Sequence, residues 1–191
     1  MPVLAELLRQ RLEENRAELA RVCGVAELAQ VISSNTGNNL ALEDHPWLRA
    51  AYEQLTSAQQ VHVHFLSEFD IDPKAPLQVD TVVTVGLGAI PETGTVLVGS
   101  RVPEAFRLSL CPRRHYVIVP ADKACLTMSE ALALTGQEPS GLVSWLTGPS
   151  RTADIEKVLV LGAQGAGELI VIVYYEGGIE EKMPIKDREK G

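Results

Sequence analysis

Three short segments carry residue types that serve no packing purpose and whose grouping suits the capture of a small anion. In Pro91-Glu92-Thr93-Gly94-Thr95, two hydroxyls, a carboxylate and a glycine can turn side-chain and backbone donors toward a guest. The same composition also makes a plain turn with Gly94 at positive φ. In Thr147-Gly148-Pro149-Ser150-Arg151-Thr152-Ala153-Asp154-Ile155-Glu156, Ser150 or Thr152 can cap a short helical turn. Amide donors and Arg151 are then free for a phosphate or carboxylate. Asp154 and Glu156 stand two apart, roughly 200° around a helix, so at most one of them faces such a site. The third segment, Leu161-Gly162-Ala163-Gln164-Gly165-Ala166-Gly167-Glu168, is rich in glycines that let a ligand approach the backbone or simply tighten a turn.

Other candidate chemistry fails on spacing. Gly86-Leu87-Gly88-Ala89-Ile90-Pro91 begins like a dinucleotide fingerprint, but Pro91 stands where the third glycine belongs. With the third glycine absent, a glycine turn between two strands is the better reading. Gly148-Pro149-Ser150-Arg151-Thr152 lacks the closing glycine of a nucleophile elbow, and no histidine lies downstream of it. His62 and His64 face one side of a strand, but a metal needs a third ligand, which would have to come from Asp70, Asp72 or His115. No metal site is expected. Arg113 and Arg114, before His115, can attract an anion or form an exposed pair.

These segments need a frame to hold them. Leu4, Leu7, Leu8, Leu12, Leu19 and Val22 recur at helical spacing, which predicts an amphipathic helix over about residues 3–22 with Gly24 as its stop. A second helix is expected after Asp44, with Pro46 in its first turn and Trp47, Leu48, Ala51 and Leu55 on one face. From Val61 the pattern turns to strands: Val61, Val63 and Phe65 alternate, and Thr81–Val85, Thr95–Val98 and Tyr116–Val119 are β-branched runs. Thr127-Met128-Ser129-Glu130 fits a capping box, and a further helix is plausible from Ser140 to Leu146. The apolar runs Val158–Leu161 and Leu169–Tyr175 read as central strands covered on both faces, and the polar tail, about residues 177–191, as frayed. Helices alternating with apolar strands predict a single layered α/β domain over 1–191, whose ligand loops belong at the strand carboxyl ends.

Composition narrows the function. The chain has 191 residues with 17 Lys+Arg against 25 Asp+Glu, a formal charge of −8. That balance lacks the basic footprint of phosphate-backbone neutralisation, so no nucleic-acid partner is expected. Apolar runs fall short of the ~20 residues a bilayer demands, and charges arrive too early for a signal peptide, which predicts a cytoplasmic chain without a membrane span. The three cysteines, Cys23, Cys111 and Cys125, have no disulfide or iron–sulfur spacing.

Ile90-Pro91-Glu92-Thr93-Gly94-Thr95-Val96-Leu97-Val98, the proline-ended strand with His115, Gly148-Pro149-Ser150-Arg151-Thr152-Ala153-Asp154-Ile155-Glu156, and Leu161-Gly162 with Gly165 together resemble the lactate-utilisation (LUD domain) family. The resemblance covers roughly Thr81 to Tyr175. It implies a three-layer α/β/α fold with a mixed, mostly parallel sheet, similar to the superfamily that includes glucosamine-6-phosphate deaminase, ribose-5-phosphate isomerase and CoA transferases. It also implies a subunit or accessory role in a cytoplasmic complex oxidising lactate to pyruvate. Iron–sulfur clusters would then sit in partner subunits, and this chain would bind no cofactor of its own. A small carboxylate or phosphate would be held by Thr93, Gly94, Thr95, Gly148, Ser150, Arg151, Thr152, Gly162, Gln164 and Gly165, with Glu92 and Asp154 as candidate acid/base groups. Gln164 stands where the family often has histidine, and an amide does not transfer protons near neutral pH. The alternatives are a stand-alone enzyme acting on a small phosphorylated or carboxylated metabolite, or a non-catalytic scaffold.

Overall fold

The computed structural model describes residues 2–34, 36–55, 61–68, 79–99, 112–137, 142–149, 151–153, 159–161 and 165–176. Their elements, in chain order, are helix α1 (Pro2–Glu14), strand β1 (Glu18–Cys23), α2 (Gly24–Ser33), β2 (Asn39–Leu42), α3 (Pro46–Leu55) and β3 (His62–Phe65). Then come β4 (Thr81–Val85), β5 (Gly88–Ile90), β6 (Thr95–Gly99), β7 (Arg114–Pro120), α4 (Met128–Gln137), β8 (Val143–Leu146), β9 (Arg151–Ala153), β10 (Leu159–Leu161) and β11 (Glu168–Tyr175).

Six strands form one sheet in the order β1-β11-β7-β4-β2-β3, and every neighbouring pair is parallel. The antiparallel pairs lie outside it, in the three-stranded sheet β5-β6-β8 and the ribbon β9-β10. Parallel strands must be covered on both faces, and β7 and β11 show how the sequence provides for this. Tyr116, Ile118, Ile170, Ile172 and Tyr174 pack with Leu28 and Ile32 of α2 and Leu48, Ala51 and Leu55 of α3. The alternate residues Val117, Val119, Leu169, Val171 and Val173 pack with Leu8 and Leu12 of α1 and with Ala89, Val96 and Val98 of the small sheet. The outer face of the small sheet, Ile90 and Leu97, is covered in turn by Ala131 of α4 together with Leu126. The protein is thus an α/β fold with helices on both sides of a parallel sheet, one side carrying an extra β layer.

Several expectations need correction. The first helix ends at Glu14, not near 22: Arg16 takes φ 62°, Ala17 N–H donates to Leu12 O, and Glu18–Cys23 become an edge strand on β11. Leu19 and Val22 fit the helical stripe, but pairing with β11 overrides propensity there. Gly24, φ 76°, then serves as the strand-to-helix corner that opens α2 rather than a helix stop. The helix expected over Ser140–Leu146 is strand β8, paired with β6. Leu159–Leu161 is not a central strand but half of the β9-β10 ribbon. The tail from 177 lies outside the described residues. Capping at α4 is as expected: Thr127 N–H donates to Glu130 Oε2 at 2.7 Å and Glu130 N–H to Thr127 Oγ1 at 3.3 Å.

Candidate functional site

The hairpin turn between β5 and β6 places the first segment. Pro91 and Gly94 are buried while Glu92 and Thr93 are exposed. Gly94, at φ 65°, lies so close to the last turn of α1 that a Cβ there would stand 2.9 Å from the Arg11 carbonyl carbon. Asn15, just past that helix, donates from Nδ2 to Thr93 O at 3.1 Å. A side chain at 94 would therefore push the turn off α1, and only glycine permits the contact.

The second segment is joined to the first by hydroxyls. Thr93 Oγ1 donates to Thr95 Oγ1 at 2.7 Å, and Thr95 Oγ1 lies 2.8 Å from Thr147 Oγ1 at the end of β8. Gly148 follows at φ 124°, and a Cβ on it would meet Asn15 O at 2.5 Å. Asn15 thus touches both segments, one through its amide and the other through its backbone. Further on, β9 pairs with β10 in antiparallel register, Arg151 opposite Leu161, so the backbone entering the glycine loop runs beside the backbone leaving Gly148. Gly165 then leads to Glu168, the first residue of β11.

These described parts gather near the α1 exit and the amino ends of β1 and β11, not at the carboxyl ends where loops of an open α/β sheet were expected to act. Ser150, Asp154, Gly162 and Gln164 lie outside the described residues, and of Arg151 and Thr152 only the backbone is described. At the carboxyl ends, the chain leaves β2 on the α3 side and β4 on the opposite side, which makes the gap between them the switch point of the sheet. Glu43 bridges that gap: its N–H donates to Val83 O and its Oε2 accepts Val85 N–H at 2.7 Å. Beside it, His45 and Trp47 stack edge-on at 4.6 Å, and Trp47 lies 4.3 Å from Tyr174.

Arg113, Arg114 and His115 are engaged in the fold. Arg113 and Arg114 both bind Glu168, Nη1 to Oε1 at 3.0 Å and Nε to Oε2 at 2.6 Å. Neither is left as an anion trap. His115 is fully buried with Nε2 2.8 Å from Thr84 Oγ1 and, among the described residues, no partner on Nδ1. Burial pushes its pKa down to about 4, so the ring is neutral at neutral pH. Burial likewise raises the Cys125 thiol, and the charge of Glu92 adds to the effect. His62 and His64 point outward from edge strand β3. Among the described residues, no three His, Cys, Asp or Glu side chains come together as a metal ion would require, and no helix is long and apolar enough to cross a membrane.

Asn15, Thr147 and Glu43 were not singled out from sequence. Gly94 and Gly148 were visible there, but the residues they lie against, Arg11 and Asn15, more than 80 residues away along the chain, were not.

A parallel α/β sheet with a small antiparallel layer and a glycine- and hydroxyl-rich loop cluster describes the class of protein. Its family follows from comparison: the LUD domain model matches residues 5–174, and the chain belongs to that family. Among curated proteins, it is similar to lactate utilization protein C of Deinococcus radiodurans, 36% identical over 67% of this chain and 57% of that protein. Proteins of the same name from Geobacillus kaustophilus and Geobacillus thermodenitrificans are 29% and 28% identical, each over 85% of this chain and 71% of the relative. Among solved structures, a DUF162 family protein from Deinococcus radiodurans shares the fold with TM-score 0.64 at 21% identity, covering 91% of this chain and 98% of that one.

Proposed function

We propose that this chain serves lactate utilisation as an accessory or substrate-handling subunit, working in the cytoplasm beside iron–sulfur partners and holding a small carboxylate or phosphate in the loop cluster. The observation that carries this reading is the linkage of the segments: the Thr95–Thr147 hydroxyl contact ties the first to the second, and the β9-β10 register ties the second to the third. The names of the relatives support the process in which it acts.

In this reading Arg151 pairs with the carboxylate, because a guanidinium offers two parallel donors. Ser150 and Thr152 add hydroxyl donors, Gly148, Gly162 and Gly165 let the backbone come close, and Gln164 offers an amide. Glu92 or Asp154 takes the proton. Oxidation of lactate to pyruvate also releases two electrons and a second proton; clusters in the partner subunits would supply the electron acceptor, and solvent would take the proton.

The test is affinity capture of the tagged chain from the cytoplasm of lactate-grown cells, with iron and acid-labile sulfide measured in the eluate. The expected result is co-purification of an iron–sulfur protein in fixed proportion. Recovery of the chain alone refutes the complex. Turnover of sugar phosphates or acyl-CoA esters by the isolated chain would then favour the stand-alone enzyme.

A further inference from the structure

We infer that Thr147 is a ligand-binding residue of this site, the open end of a row of hydroxyls that donates to an oxyanion, and that Asn15 is the positioning residue that holds the row in place. The inference rests on the reading above and extends it to Asn15, which lies outside the three segments, and to Thr147, which opens the second segment but had no role assigned.

A threonine hydroxyl has one proton to give. Thr93 gives its proton to Thr95. In the Thr95–Thr147 contact at 2.8 Å either oxygen can donate, and the row runs outward when the almost fully buried Thr95 hydroxyl gives its proton to Thr147. Thr147 is exposed, and when Thr95 is the donor of that contact, the proton of Thr147 has no acceptor among the described residues. Hydrogen bonds in series polarise one another, so the last donor is stronger than an isolated hydroxyl. A donor of this kind is best matched by a charged acceptor.

Its location supports the same conclusion. Thr147 is followed by Gly148 at φ 124°, where the chain bends over Asn15, and then by the backbone that reaches Arg151. The head of the row is fixed as well, because Asn15 Nδ2 holds the Thr93 carbonyl at 3.1 Å. One residue at the exit of α1 therefore sets the spacing of both ends. The ligand class is a small oxyanion, and within the reading above it is the carboxylate of a short hydroxy acid.

The test is titration of the ¹⁵N-labelled chain with L-lactate, pyruvate and inorganic phosphate in separate arms, following the Gly148 amide. Thr147→Val keeps the shape and removes the proton donor, and Thr147→Ser restores it. With L-lactate, Thr147→Val is expected to weaken binding about tenfold, as loss of a hydrogen bond to a charged group does. Thr147→Ser should bind like the wild type, and Asn15→Ala should weaken binding while shifting the Thr93 and Gly94 amides even without ligand. A stronger response to phosphate than to lactate keeps the donor row and changes its guest. Unchanged affinity in Thr147→Val, with the wild type binding, overturns the role of Thr147 and leaves the proposed function standing. No wild-type response to any of the three anions overturns this inference and the ligand half of that function, while the co-purification test remains independent of both.

Discussion

Replacing Gly148 by alanine should destabilise the protein through one identifiable contact. At φ 124° an L-residue is strained whatever space surrounds it, which costs about 1–3 kcal/mol. The added methyl group would also meet the Asn15 carbonyl oxygen at 2.5 Å, where ordinary contact begins near 3.4 Å. That oxygen is backbone, so relief requires the α1 exit to shift by most of an ångström. The Asn15–Thr93 hydrogen bond, worth about 1 kcal/mol, is put at risk by the shift. Together these give a loss of about 2–4 kcal/mol, within the roughly 5–15 kcal/mol total of a typical domain, so the variant should still fold. For a domain of this size, about 2–4 °C per kcal/mol converts the loss to a drop in Tm of roughly 4–16 °C. Calorimetry on Gly148→Ala measures it. Gly136→Ala in α4 is the matched control, because a Cβ there meets nothing within 4 Å and helix propensity should stabilise by about 0.5–1 kcal/mol. A Gly148→Ala melt within a degree of the wild type would refute the close approach to Asn15.

Three further outcomes are expected. His115 is held neutral at a pKa of about 4 against an ordinary 6.5, so the unfolded chain binds its proton first as pH falls. Stability should decline by about 3 kcal/mol between pH 6.5 and 4 on this account, and the difference between wild-type and His115→Gln denaturation curves should isolate it. Thr127→Ala removes the capping hydroxyl of α4 and should cost about 1 kcal/mol by urea titration, with Thr127→Ser close to neutral. Glu43→Gln replaces one carboxylate oxygen and should retain the fold, whereas Glu43→Ala leaves Val85 N–H without its side-chain acceptor and should lose about 1–3 kcal/mol.

Legibility in the sequence followed the range of the interactions that decide each element. The strands β4, β7 and β11 and the helix α3 were readable because burial alone fixes their apolar runs and faces. The capping box at Thr127 was readable because both partners lie within one turn. The stretch Glu18–Cys23 was not, since Glu, Leu, Ala and Arg favour helix and only the distant edge of β11 makes it a strand. Val143–Leu146 was misread for the same reason, its partner β6 lying more than 40 residues earlier. At the candidate site the hydroxyl and glycine residues stood out by type, whereas their joint dependence on Asn15 rests on contacts that the folded chain alone creates.

The neighbours β1 and β11 impose an order on assembly. Glu18 and Ile170 are register partners, so β1 waits for a strand made roughly 150 residues later. At about 5–20 residues per second of synthesis, that wait lasts roughly 8–30 s on the ribosome. During it the segment is an unclaimed ribbon, and its outward Glu18 and Arg21 charges discourage the wrong neighbour. Closure of the sheet on that side is therefore a late event, and a chaperone that meets the chain before β11 is made would find β1 still vacant.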